Sequence, residues 1–355
     1  LSTSNFKRLF YILFFLALFF AIDRLVIYRV DLIPYPYEMQ EPLYQNIVYK
    51  KFIHSRLNNL EPQINKNLKI LVLGTSRTLT GISPRIIAKE LSLPPGTLLN
   101  FSLPAESYLD IYTILNDHIE KVKPIPLLII EISPLQFYYP YSPYIEEKGN
   151  LAEKLTWSFN YHDFHMLTRS FFISYRKRDI LRGYILRWCR LAGKLVRPNT
   201  VQEWEPSTKF MIKDFHAMGR GWVAAIGHLE EKWKGIDLMD RKLFPHPSNK
   251  EKEWKNFIKI IRLAEKEQLK ILFIEMPVQR EAEEKVLNED PALYKFFQEK
   301  VKPFLRSRGY TVLEGGKAFK VEENEFYDAN HLNKKGAVKF SRELAQWLEK
   351  EGWEK

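Results

Sequence analysis

Hydrophobic and polar positions divide the chain into contrasting stretches. Leu9 to Ile22 is unbroken apolar sequence rich in Phe and Leu; Asp23 and Arg24 interrupt it before Leu25-Val-Ile-Tyr28. A Pro- and Tyr-rich stretch follows (Ile33-Pro-Tyr-Pro-Tyr37). From Leu68 short aliphatic runs alternate with segments whose apolar residues recur at helical spacing. Ile70–Leu73, Thr97–Phe101 and Pro126–Ile132 predict strands; Pro84–Leu91 and Tyr108–Lys121 predict helices, the first with Ser83 as N-cap and Pro84 at its first position. The alternation lapses at about 135 and resumes at Glu251. There Trp254, Phe257, Ile258, Ile261 and Ala264 recur as one helical face. Leu269–Met276 and Tyr310–Leu313 predict two more strands, Ala292–Arg308 a helix, and about Lys335–Lys350 a last amphipathic helix. Aliphatic strands separated by amphipathic helices predict a buried parallel sheet with helices on both faces.

The stretch between about 135 and 250 lacks strand signals and is rich in Tyr, Phe, Trp, Arg and Lys. It predicts an insertion of helices and loops, with helices near Leu151–Tyr175 and Arg178–Leu195. An insertion of this length in an α/β domain suits a lid or substrate wall, or added core. It carries His162, His165, His216, His228 and His246. His162 and His165 have ligand-like spacing, but no carboxylate stands at a recognisable distance, so they read as surface or packed histidines. No metal and no cofactor is expected.

The N-terminal run bears on location. Roughly 20 helical residues cross a bilayer, and Leu9–Tyr28 meets that length if Asp23 and Arg24 lie at the outer interface. A signal anchor, a cleaved signal peptide and a buried helix compete. No clear small-x-small cleavage site follows the run, which favours the anchor. Lys7 and Arg8 place its start in the cytoplasm and the remainder outside. The chain then divides into an anchor at 1–30, a juxtamembrane connector at 31–67, and a globular part at 68–355.

The 355 residues, 45% hydrophobic, suffice for a large core and exclude a disordered chain. The formal net charge of +11 admits nucleic acid, an anionic membrane surface or an anionic polymer. No zinc-finger spacing or RNA-recognition signature is present and the basic residues are scattered, which argues against nucleic acid. One cysteine, Cys189, excludes an intrachain disulfide and reads as packing beside Trp188.

Candidate chemistry sits where the first predicted strand ends, at Gly74-Thr75-Ser76-Arg77. A buried strand that breaks at glycine exposes the following serine at the sheet edge, where it can serve as a nucleophile or simply cap the turn. The partner signal lies far downstream, in Asp328-Ala-Asn-His331 between the last strand and the last helix. His331 can take a serine proton, and Asp328 can orient and stabilise its imidazole.

Gly-x-Ser after the first strand, Asn100-Phe-Ser102 after the second, and Asp328-x-x-His331-x-Asn333-x-x-Gly336 before the last helix together resemble the SGNH (GDSL-type) hydrolase superfamily. With the anchor, the chain looks most like its membrane-anchored bacterial members, of the lipoteichoic-acid D-alanyl transfer and alginate acetylation type. The resemblance covers about 68–134 and 252–350. It implies a three-layer α/β/α sandwich around a parallel, flavodoxin-like sheet. It also implies Ser76 as nucleophile, His331 as base and Asp328 as its partner, with an oxyanion hole drawn from Ser76, Asn100 and Ser102. Arg77 reads either as a contact to an anionic substrate or as a structural arginine. Ser102 replaces the glycine usual in the second block. The third block, Gly-x-Asn-Asp, is absent, and Glu131-Ile-Ser-Pro-Leu135 stands in its place. The implied activity is an extracytoplasmic esterase or O-acyltransferase acting on a cell-envelope polysaccharide or teichoic-type polymer, with a membrane-bound O-acyltransferase as partner. The alternative is a tethered assembly or carbohydrate-binding subunit that kept the fold.

Overall fold

The computed structural model of the chain describes residues 67–104, 106–137, 142–149 and 250–353, with isolated positions at 11, 14, 15, 17, 18, 21, 56–58, 64, 152, 154, 155, 158 and 159. The chain divides into two compact units, residues 1–54 with 149–208 and residues 55–148 with 209–355. In the first, Tyr11, Phe14, Phe15 and Leu18 are helical and exposed. Among the described residues no helix is long and apolar enough to cross a membrane. Most of the expected anchor and connector, most of the first helix expected in the insertion and all of the second, the five histidines and Cys189 lie outside the described residues; the described positions of the first, 152, 154, 155, 158 and 159, are helical.

The second unit is built on five parallel strands: β1 (Ile70–Leu73), β2 (Leu98–Asn100), β3 (Leu127–Glu131), β4 (Ile271–Glu275) and β5 (Thr311–Glu314). Their order is β2-β1-β3-β4-β5, as in flavodoxin-like doubly wound sheets. Register is fixed by pairs such as Leu71 with Leu99 and Leu128, Ile129 with Leu272, and Phe273 with Val312. Strands β1 to β4 are buried nearly throughout, which is why they read as continuous aliphatic runs rather than alternating ones.

The described helices are α1 (Ser76–Gly81), α2 (Pro84–Glu90), α3 (Tyr108–Asp117), α4 (Ile119–Val122), α5 (Pro143–Lys148), α6 (Lys250–Glu267), α7 (Arg280–Glu289), α8 (Pro291–Phe296), α9 (Lys302–Ser307), α10 (Gly315–Ala318) and α11 (Lys334–Lys350). Alternate strand residues feed two cores. Ile70, Val72, Ile129, Leu272 and Ile274 pack with Ile87 of α2 and Phe340, Leu344 and Leu348 of α11. On the other face Phe273 meets Phe257 of α6, which stacks edge-on with Tyr108 of α3. Fully burying an aliphatic side chain contributes about 1.5–3 kcal/mol, so these two seams hold the layers together.

Three departures from the predicted elements have local causes. Tyr108–Lys121 is two helices, broken at His118, which leaves the helical backbone region. Ala292–Arg308 is α8 and α9 with a π-turn, Phe297–Val301, between them. Pro303 follows that turn; it lacks an N–H and its ring crowds the carbonyl four residues back, which forces the helix to widen. Ser83 is the N-cap of α2 but makes no side-chain cap bond. Its N–H instead donates to Ser341 Oγ of α11 at 2.8 Å, tying the two helices.

Candidate active site

The candidate residues converge at the carboxyl edge of the sheet, where β1 and β3 diverge in connection and doubly wound folds form their crevice. Ser76 begins α1 directly after β1. Asp328 and His331 lie on the loop between β5 and α11. That loop is pinned at both ends. Tyr327 N–H donates to His331 O at 2.8 Å. Asn333 caps α11 by accepting from Gly336 N–H at 3.0 Å and holds Asn324 O and Phe326 O with its amide. Gly336 has to be glycine, because a Cβ there would stand 2.2 Å from Glu325 O.

His331 Nε2 lies 2.8 Å from Ser76 Oγ, and His331 Nδ1 lies 2.8 Å from Asp328 Oδ2 and 2.9 Å from Oδ1. Residues 255 positions apart are thus joined in one hydrogen-bonded chain. Asp328 Oδ1 also accepts from Asn330 N–H (3.0 Å) and His331 N–H (2.8 Å), so the carboxylate shapes the loop that carries the histidine. Burial pushes the Asp328 carboxyl up, but His331 and the two N–H donors outweigh it and hold it below its usual value. An ionised Asp328 accepting Nδ1–H leaves Nε2 free to accept the serine proton.

The serine turn is held by a residue that the sequence marked only as a departure. Glu131, fully buried at the end of β3, accepts from Thr75 N–H (2.6 Å), Thr75 Oγ1 (2.9 Å) and Thr78 Oγ1 (2.9 Å), and pairs with Arg77 at 2.5 Å. Glu106 Oε2 accepts from Gly74 N–H at 2.8 Å. Burial, reinforced by the nearby Asp110 charge, raises the Glu106 carboxyl well above its ordinary value. A Cβ on Gly74 would stand 2.5 Å from Glu131 Cβ, so only glycine allows this approach. A glutamate closing an otherwise aliphatic strand, Leu127-Leu-Ile-Ile-Glu131, is the signal that could have found the clamp.

Arg77 is accordingly a buried structural partner of Glu131. The other two oxyanion candidates are also committed. Asn100 Nδ2 donates to Thr78 O (2.8 Å) and Ile82 O (2.9 Å). Asn100 Oδ1 takes the Ser102 N–H at 3.1 Å, and Ser102 Oγ is bonded to Thr78 Oγ1 at 2.8 Å. These residues fasten the β2 exit to α1. The amides of Gly74, Thr75 and Arg77 are likewise taken, by Glu106, Glu131 and Thr75 Oγ1. Among the described residues no acceptor takes the Ser76 N–H. Chemically, the arrangement offers an activated hydroxyl, a base with an oriented imidazole, and one spare backbone donor beside the hydroxyl. No protein-family model matches the chain, and no curated protein matches it.

Proposed function

We propose that the protein is an SGNH-like serine acyl-ester enzyme, an esterase or O-acyltransferase, tethered outside the cytoplasm by its N-terminal segment. The observation that carries this reading is the hydrogen-bonded chain Asp328–His331–Ser76. Ser76 Oγ attacks the ester carbonyl while its proton passes to His331 Nε2. The developing oxyanion is met by the Ser76 N–H. His331 then protonates the leaving alcohol, and an acyl-serine remains. Water or a second hydroxyl reverses the sequence on that acyl group. The acceptor is a cell-envelope polysaccharide or teichoic-type polymer. A membrane-bound O-acyltransferase supplies the acyl group from the other side. The exposed aromatic helix positions near residue 15 support the tether.

One observation favours a second reading, a non-catalytic tethered subunit. The side chains expected to complete the oxyanion hole are bonded elsewhere, and loss of one such donor costs about 10²–10³ in rate. A fluorophosphonate probe separates the two. The active enzyme is labelled at Ser76, located by mass spectrometry, and His331→Ala lowers the labelling rate by about 10³ or more. An unlabelled wild type, or equal labelling after His331→Ala, leaves the subunit reading in place.

A further inference from the structure

A cleft of about 400 Å³ opens beyond the carboxyl ends of β4 and β5, against the loop that carries Asp328 and His331. Gln279 joins the two: it lines the cleft, and its N–H donates to Ala329 O at 2.9 Å. Its side chain is 4% exposed, yet neither Oε1 nor Nε2 has a hydrogen-bond partner among the described residues. A buried amide left unsatisfied is costly and keeps bonding capacity that the fold itself does not use.

The lining selects the ligand chemistry. Five glutamates face three cations, and each cation is already ion-paired. Lys302, buried, lies between Glu275 (2.6 Å) and Glu314 (3.2 Å); Lys317 pairs with Glu314 (2.5 Å), and Arg280 with Glu284 (2.8 Å). Burial pushes Glu314 up, but Lys317, Lys302 and Arg306 overcome it and bring it down to about 2, so it stays an ionised acceptor. A phosphate or carboxylate polymer meets more carboxylates than cations here, and the buried Lys302 is held between two of them. A primary amide offers both donors and acceptors, carboxylates accept, and hydroxyl groups answer both. Phe326 supplies an apolar wall.

We infer that this cleft is the acceptor subsite, that it takes an uncharged, hydroxyl-rich glycan rather than a polyanionic polymer, and that Gln279 bonds the glycan hydroxyls. The inference rests on the acyl-serine reading of Ser76. In transfer, the glycan oxygen bonds to the acyl carbon and the bond to Ser76 Oγ breaks. The glycan proton passes to His331 Nε2 and on to Oγ. The net basic charge of the chain admits an anionic partner; the cleft itself is of the opposite sign.

Equilibrium binding to the full chain in detergent micelles tests this with three probes: maltohexaose, chitohexaose and poly(glycerol phosphate). At least one neutral oligosaccharide binds more tightly than the phosphate polymer, and Gln279→Leu weakens that binding roughly tenfold, the worth of one or two hydrogen bonds. Because leucine removes an unsatisfied buried amide, the variant melts at the same or a higher temperature. Failure of both neutral chains to bind, tighter binding of poly(glycerol phosphate), or neutral binding unaffected by Gln279→Leu overturns the proposal. So does a lowered melting temperature with the loss of binding, the mark of a structural glutamine. Fluorophosphonate labelling of wild-type Ser76 keeps the two readings apart. Labelling without glycan binding removes the subsite only. Gln279-dependent glycan binding without labelling removes the acyl-serine only.

Discussion

At the scale of single residues, Asp328 plays two roles that one substitution can separate. Oδ1 receives the Asn330 and His331 N–H groups and Oδ2 receives the imidazole Nδ1–H. Asparagine in the same rotamer keeps the first role and reverses the second. It presents an NH₂ to Nδ1, which must then be the acceptor, and the ring proton moves to Nε2. That tautomer cannot take a proton from Ser76 Oγ, 2.8 Å away. Asp328→Asn therefore lowers fluorophosphonate labelling of Ser76 by about 10³–10⁴ while the loop and the melting temperature hold. Labelling within tenfold of wild type would remove Asp328 from the chemistry and leave it a loop residue. Ser76, Asp328 and His331 were legible in the sequence because each follows a recognisable strand or precedes a recognisable helix. Gln279 was not legible, because its significance is a missing partner, which only the fold can reveal.

At the scale of elements, the β1–α1 turn is held from outside itself. A short loop with a glycine has little intrinsic rigidity; the Glu131 carboxylate of β3 supplies it by bonding Thr75, Thr78 and Arg77 together. Glu131→Gln keeps the shape but leaves the Arg77 guanidinium buried without a counter-charge. Breaking a buried pair from one side costs about 3–5 kcal/mol. Denaturant unfolding of Glu131→Gln shows a loss of that size, and Arg77→Met in the same background recovers a large part of it. Equal losses in the single and double variants would show that the cost does not come from the unpaired guanidinium. Strands β1 to β4 were readable to within a residue or two because burial on both faces makes them plainly apolar. Helices α1 and α7 were not. Ser76-Arg-Thr-Leu-Thr-Gly81 is too short to show a helical period, and α7 is charged along most of its length. Helix α1 is instead fixed at its start, where Thr75 caps it by accepting from Arg77 N–H. Asn100 and Ser102 were legible as a pair at the β2 exit, but not in what they do there. Their bonds go to Thr78 and Ile82 of a neighbouring segment, and no local pattern discloses which carbonyls lie opposite.

At the scale of the whole molecule, buried carboxyls set a stability window in pH. Asp110 closes the capping box of α3 with Ser107 and also accepts from Ser142 Oγ (2.5 Å) and Tyr144 N–H (2.9 Å) at the start of α5. Burial outweighs these donors and raises its carboxyl from 3.8 to about 6. Glu106, bonded to the serine turn, is raised as well, first by burial and then by Asp110. A raised acid binds its proton more tightly in the folded state. Its stabilising contribution is complete below the unfolded value of 3.8 and is lost as pH climbs through about 6. Asp328 has the opposite sign. Its lowered carboxyl stabilises the fold above its ordinary value, and that contribution disappears as pH falls through its depressed folded value. The two together place maximal stability on the acid side of neutrality. For Asp110 the change from 3.8 to about 6 is worth about 3 kcal/mol, at ~1.4 kcal/mol per tenfold change in proton affinity. Asp110→Asn carries no proton to lose, so its stability, compared with wild type in denaturant unfolding from pH 4 to pH 8, gains on wild type as pH rises. Parallel curves across that interval would mean that Asp110 ionises in the folded protein at its ordinary value. The curves are expected to separate mainly between pH 4 and 6 and to run parallel above it. The same carboxyls that join the serine turn to the α3–α5 packing would then make the domain most stable in mildly acidic surroundings.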